Sequence, residues 1–320
     1  MKHILVSIKV SLSQQQKDRL IEAAQGSEVL FVDQSEVTEE QVQWADIIVG
    51  NPPAAYIKGS EHLEVMQLAS AGTDDYIKPG VLSENTVLAN ATGAYGRAVS
   101  EHAFAMTLML QKKLHLYRDN QRRNLWHDEG PVTSIADSTV VVVGLGDIGQ
   151  RYAKLVHDMG AHVIGVKRRA GSCPDCVDEL CLSEEMDKAL AKADVVATFL
   201  PGTGGTYHTY NAERFAIMKP NAIFINCGRG SAVDSDALYD ALSCGKIYSA
   251  GIDVAETEPL PADSKLWGLD NLIISPHISG DFHLPDILER VVDIACTNIR
   301  ANLGGGEYIN IVDMKTGYKK

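Results

Sequence analysis

The chain has 320 residues, 45% of them hydrophobic, which is enough for two domains with a core each. A formal charge of −13 argues against a general nucleic-acid or anionic-membrane surface and favours small-molecule chemistry. Six cysteines make no disulfide framework in a chain of this length, no apolar run reaches the ~18 residues of a membrane helix, and Met1 leads into strand-like sequence without a signal-type stretch, so the expected location is the cytoplasm.

The first hundred residues hold strand patterns at 4–8, 28–32, 46–50, 65–70 and 87–90, with helical patterns between several of them. This reads as a small parallel α/β domain. Residues 98–123 place Val99, Ala103, Met106, Leu110, Leu114 and Tyr117 at helical spacing with no Gly or Pro inside, which predicts one long helix bridging two domains. A β-branched strand then starts at Thr139 and runs into Gly144, Leu145, Gly146, Asp147, Ile148 and Gly149. A helix over 147–159, a stop at Gly160 and a strand over 161–166 follow. Further strands at 195–200, 222–227, 249–254 and 271–275 make a six-stranded doubly wound sheet. From about Val291 the chain becomes helical again, and its polar end returns to the first domain.

The Gly-x-Gly-x-x-Gly turn lies between strand and helix, the context a dinucleotide-binding crossover requires. Gly144 permits the tight turn, Gly146 lets backbone approach a pyrophosphate, and Gly149 lets helix pack on strand, while the helix N-terminus offers N–H groups and its dipole. An acid at the end of the second strand would bind the ribose hydroxyls of NAD. This chain has Lys167, Arg168 and Arg169 there, cations suited to a 2′-phosphate, so NADP is expected and NAD is less suited. The alternative is a solvated basic turn. Cys173 and Cys176, with Cys181 nearby, lack a fourth ligand for zinc, and an irregular loop without metal is expected.

Beyond the fingerprint, Arg229 stands on a glycine-flanked turn just past a strand, His277 at the end of the last strand, and Glu258 after the strand before it. Open α/β sheets bind ligands at that edge. An arginine for an anionic group, a histidine to move a proton and a carboxylate to charge it suit hydride transfer to a small acid. Taken singly, each has an ordinary reading: Arg229 as a cap partner, Glu258 as a surface acid, His277 as a strand-end histidine. His102 and His283 are competing bases.

Five segments in order and spacing resemble the D-isomer-specific 2-hydroxyacid dehydrogenases: the fingerprint, 218–230 ending in Asn-Cys-Gly-Arg-Gly, Gly251-Ile-Asp-Val254, Glu258-Pro-Leu-Pro261 and Ser275-Pro-His-Ile278. The resemblance implies that Arg229 binds the substrate carboxylate and carbonyl, that His277 is the acid/base, and that Glu258 orients and charges it. It extends to the loop from Leu68 to Asp74, whose Ala71 and Gly72 N–H groups would hold the carboxylate, and to the segment 92–103. It adds Pro201, Thr206, Cys227 and Asp253 to the cofactor contacts and Tyr95 to the substrate contacts. Trp126 and Trp267 either line the pocket or belong to core or subunit contacts. Lys167 departs from the acid of NAD-using members.

The implied architecture is α/β in two domains, a doubly wound Rossmann domain over 98–290 inserted in a smaller flavodoxin-like parallel α/β domain made of 1–97 plus 291–320. The implied protein is an NADP-dependent D-2-hydroxyacid dehydrogenase, homodimeric, reducing a small 2-oxo acid to the (R)-2-hydroxy acid. The fold also resembles dinucleotide-sensing corepressors, although no appended tail for peptide binding is evident. A family member acting on another acid, such as phosphonate or formate, is the second alternative.

Overall fold

The computed structural model describes residues 1–317. The chain divides into two compact units, Met1–Tyr95 with the chain from Phe282 onward, and Gly96–Asp281.

The first unit contains β1 (His3–Ser7), α1 (Gln14–Ala23), β2 (Glu28–Phe31), α2 (Glu39–Trp44), β3 (Ile47–Gly50), α3 (Ala54–Ile57), β4 (Val65–Gln67) and β5 (Val87–Ala89). Its strands are all parallel in the order β2-β1-β3-β4-β5, the flavodoxin-like arrangement. Every residue of β3 is buried, as a central parallel strand covered on both faces requires. Ser13 with Gln16 and Thr38 with Gln41 form capping boxes that start α1 and α2.

The second unit runs α4 (Gly96–Gln111), α5 (Leu114–Arg122), β6 (Thr139–Val143), α6 (Asp147–Asp158), β7 (His162–Lys167), β8 (Glu179–Leu182), α7 (Met186–Leu190), β9 (Val195–Thr198), α8 (Ala212–Ile217), β10 (Ile223–Asn226), α9 (Ser235–Ser243), β11 (Ser249–Ile252) and β12 (Leu272–Ile274). The strands form one parallel sheet in the order β12-β11-β10-β9-β6-β7-β8, doubly wound about β6. Val141, Val143, Ile164, Val196, Phe224 and Ala250 anchor its buried core.

The final helix, α10 (Pro285–Asn302), belongs to the first unit. It packs on α1, where Arg19 pairs with Glu289 (2.6 Å) and with Asp293, and Gln16 donates to Glu289 (2.6 Å). Buried Asn298 joins Gln67 of β4 to the backbone of Ile309 (2.8 Å to its N–H). The tail then runs antiparallel beside β5, with the Val312 N–H donating to Leu88 O (2.8 Å).

Four details differ from the sequence reading. The sheet of the second unit has seven strands rather than six, because Glu179–Leu182 pairs with β7 at the edge. All four residues of this strand are half-buried, so it shows neither alternation nor a buried run, and Cys181 lies within it. The expected helix over 98–123 is two helices, broken at Lys113, which adopts φ 57° although no Gly or Pro marks the break. The last helix begins at Pro285, six residues before Val291, since proline is well suited to a first turn that needs no N–H. The division between units accordingly falls before Phe282 rather than at 290/291, and at Tyr95/Gly96 rather than 97/98. No helix among the described residues is long and apolar enough to cross a membrane.

The packing of α6 on its turn makes one stability prediction. A Cβ at Gly149 would run into the carbonyl oxygen of Gly144, backbone that cannot rotate away. Gly149→Ala is expected to destabilise the second unit by about 1–3 kcal/mol, the usual cost of overpacking, seen as a lower urea midpoint. An unchanged midpoint would show that the turn relaxes freely.

Candidate active site

Three neighbouring strands, β10, β11 and β12, deliver the candidate residues to one edge of the sheet. At the end of β10, Asn226 shapes the turn that carries Arg229: its Oδ1 accepts from the Gly228 N–H and its Nδ2 donates to Arg229 O, both at 3.1 Å. Gly230 is required there because a Cβ would collide with the Ala255 backbone. The Arg229 guanidinium donates to Gly228 O at 3.0 Å.

After β11 comes Asp253, whose side chain is wholly buried. Its Oδ1 accepts from the Ser275 hydroxyl (2.6 Å) and the Ile278 N–H (3.0 Å), and its Oδ2 from the Ser279 N–H (3.0 Å). Its backbone carbonyl takes the His277 N–H at 2.7 Å. The segment after β12 is thus wrapped around one residue, and His277 sits at its apex with φ 54°, an uncommon conformation for a side-chain-bearing residue.

His277 Nδ1 lies 2.7 Å from Glu258 Oε2, while Glu258 Oε1 accepts from the Ala255 N–H at 2.9 Å. The hydrogen bond to Glu258 raises the His277 pKa, against partial burial and the charge of Arg229, which lower it; Glu258 and Asp253 add attraction for the proton. Burial pushes the Glu258 pKa up, but the hydrogen bonds from His277 and Ala255 and the charges of His277 and Arg229 together leave it below the ordinary value. With Nδ1 engaged, Nε2 is the nitrogen available to exchange a proton with a substrate.

The fingerprint fits a dinucleotide. Gly146 stands at the N-cap of α6 without a side-chain cap, and a Cβ built on it meets nothing within 4 Å, so the loop leaves open space beside the helix N-terminus. Gly144 has φ 95°, and Leu145 packs on Gly165 of β7. Ile148 continues the first turn of α6, and Asp147 is paired with Arg151 at 3.0 Å. Lys167 ends β7 with its ammonium on Ser172 O (2.9 Å), and Arg168 and Arg169 follow as exposed residues of a bend.

Thr206 Oγ1 is 2.6 Å from Pro201 O and closes the loop after β9. Cys227 is buried, and burial drives its thiol pKa well up. In the first unit Asn51 holds the loop after β4 by accepting from the Ala69 N–H (3.0 Å) and donating to Ser70 Oγ (2.9 Å), while Asn90 donates to Ala71 O (2.7 Å) and Ser70 Oγ to Gly72 O (2.8 Å). These bonds use the carbonyls of Ala71 and Gly72. Tyr95 is buried with its hydroxyl on Ala69 O and its ring edge-on to Phe282. Trp126 is fully exposed, and Trp267 is half-exposed with its indole N–H on Pro261 O (2.9 Å). His283 is an exposed residue of the first unit, and His102 bonds to Ser275 at 3.0 Å, with Asp253 Oδ1 behind it at 3.9 Å. Cys173 donates to Val177 O and Cys176 to Gln150 O in an irregular segment. Sequence reasoning missed the tasks of Asn226, Ser275 and Asp253 in holding these loops; their signal is a polar residue at or just past a strand end, inside the segments that carry the resemblance.

The His277–Glu258 pair sets a pH window. The imidazole contribution is present below the ordinary histidine pKa and is lost as pH rises through the raised folded value. The carboxylate contribution is present above the ordinary glutamate pKa and is lost as pH falls through the lowered one. Glu258→Gln should therefore move the His277 titration, followed by NMR of the ring nitrogens, to lower pH. An unmoved titration would mean that Glu258 does not set the charge of His277.

The profile of the D-isomer specific 2-hydroxyacid dehydrogenase, NAD binding domain, matches residues 104–279. A glyoxylate/hydroxypyruvate reductase B of Shigella boydii is 31% identical over 269 residues, 78% of this chain and 82% of that protein. A D-isomer specific 2-hydroxyacid dehydrogenase family protein of Aeromonas salmonicida superposes with a TM-score of 0.84 at 32% identity, covering 98% of this chain and all of that one. A D-isomer specific 2-hydroxyacid dehydrogenase of Xanthobacter autotrophicus, solved with NADPH and MES, has a TM-score of 0.84 at 27% identity, covering 99% of each chain. The chain belongs to the D-isomer specific 2-hydroxyacid dehydrogenase family, a family of NAD(P)-dependent oxidoreductases.

Proposed function

We propose that the protein is an NADP-dependent D-2-hydroxyacid dehydrogenase that reduces a small 2-oxo acid to the (R)-2-hydroxy acid. The observation that carries this reading is the 2.7 Å His277–Glu258 pair at a strand edge with the charge of Arg229 acting on both. Gly144 to Gly149 would hold the pyrophosphate of the cofactor and Lys167, Arg168 and Arg169 its 2′-phosphate. A bound nicotinamide supplies the hydride.

As hydride reaches the carbonyl carbon, negative charge develops on the oxygen. His277 Nε2–H donates its proton there, and Glu258 at Nδ1 keeps the imidazolium populated beforehand. Arg229 binds an anionic oxygen of the substrate through its planar fork and polarises the carbonyl. The raised His277 pKa enlarges the protonated fraction that reduction uses. In the first unit the N–H groups of Ala71 and Gly72 are available for an anionic group.

The reading of NADP rests on the three cations after β7 and is supported by the Xanthobacter autotrophicus relative, solved with NADPH. The Shigella boydii relative makes glyoxylate and hydroxypyruvate the first substrates to test.

A panel of 2-oxo acids with NADPH and NADH tests this reading. At least one small 2-oxo acid is reduced, and His277→Ala lowers kcat by about 10²–10⁴-fold while NADPH binding, read by fluorescence, stays near wild type. Near-normal reduction by His277→Ala would remove His277 from the chemistry; no turnover with any acid would favour a dinucleotide sensor. NADPH should be preferred by about tenfold or more in kcat/KM, equivalent to about 1.4 kcal/mol, and the double change Lys167→Asp, Arg168→Ala should narrow or reverse the preference. A preference for NADH in the unaltered enzyme would overturn the cofactor assignment.

A further inference from the structure

We propose that His102, on α4, is a positioning residue for the reaction, tying the helix to the loop that presents His277. The inference rests on the reading of His277 as proton donor. The Ser275 hydroxyl has one hydrogen, and the carboxylate oxygen 2.6 Å away, Asp253 Oδ1, can only accept it. The lone pairs of Ser275 Oγ therefore face His102 Nε2 at 3.0 Å, which fixes the Nε2–H tautomer of His102 as donor. The chain of donors runs one way, from His102 to Ser275 to Asp253.

Its end point is the group that holds the catalytic loop. Asp253 also accepts the N–H groups of Ile278 and Ser279, the residues that flank His277 on its far side. Without His102 the Ser275 oxygen loses the contact that fixes it from the helix side, and the hydroxyl that donates to the buried carboxylate is held less firmly. The loop relaxes, and the 2.7 Å contact of His277 with Glu258 is populated less. His102 is about one-quarter exposed, stands on a helix packed on β10 and β11, and is faced by Asp253 at 3.9 Å. The charged groups that act on His277 are Glu258, Arg229 and Asp253.

The test compares wild type with His102→Leu, His102→Gln, Ser275→Ala and the double change His102→Leu, Ser275→Ala. Two readouts are used: steady-state 2-oxo acid reduction with NADPH, and NMR titration of His277 in the substrate-free protein. His102→Leu should lower kcat by about tenfold, with an upper bound near 10²-fold for a displaced catalytic group, leave KM for NADPH within about twofold, and move the His277 titration to lower pH. His102→Gln, whose amide N–H reaches the same place as Nε2, should restore most of both. Ser275→Ala should match His102→Leu, and the double change should be no worse than either single one.

Unchanged kcat and an unchanged His277 titration in His102→Leu would overturn the proposal, as would a lower melting temperature with no change in either readout. If His102→Leu does not fold, Ser275→Ala with wild-type kcat and titration is the overturning result. Because the titration needs no substrate, a shifted His277 in a protein that reduces no 2-oxo acid would support the tie while rejecting the dehydrogenase reading.

Discussion

A carboxylate with no exposure to water organises the reactive edge of the second unit. Removing Asp253 from solvent is costly unless its oxygens are hydrogen-bonded, and the three donors that satisfy it all come from the segment after β12. Its backbone carbonyl takes a fourth, the His277 N–H. The loop can satisfy this buried group only by folding around it, and that constraint holds His277 in a left-handed conformation. Everything proposed for the site depends on a histidine fixed in this way.

The electrostatics follow from where the other two side chains stand. Glu258 is itself partly desolvated, which alone would raise its pKa and favour a neutral acid. Two hydrogen bonds and two cations reverse that tendency, and the resulting carboxylate raises His277. Arg229 works against the protonation of His277 while favouring the ionised Glu258. Arg229, proposed above to bind an anionic substrate, is therefore a like charge beside the imidazolium, and the direct contact with Glu258 prevails over it. A substrate carboxylate on Arg229 would screen that repulsion.

Much of this was legible in the sequence, for identifiable reasons. The apolar runs that became β1, β3, β6, β9 and β10 are long enough and sufficiently bounded to specify strands, and the glycine spacing from 144 to 149 fixes the crossover. Arg229, Glu258 and His277 stood out because they follow the successive strand patterns that became β10, β11 and β12, and the structure brings them to one edge. What escaped is tertiary. The edge strand Glu179–Leu182 is too short and too evenly half-buried to leave a pattern, and the break at Lys113 is marked by no special residue. Asp253, read as a cofactor contact, turns both oxygens to its own loop, and no local rule says which donors a buried carboxylate will choose. The same holds for His102, which the helical spacing places on α4 but cannot place against Ser275.

The central claim is that one group, His277 charged by Glu258, gives the proton in reduction and takes it back in oxidation. The pH dependence of kcat/KM, measured in both directions on the same enzyme, tests it most directly. Reduction requires the imidazolium and oxidation the neutral ring, so reduction should fall and oxidation rise with pH about a single apparent pKa above the ordinary histidine value. Profiles that move in the same direction, or that titrate about clearly different values, would contradict the assignment.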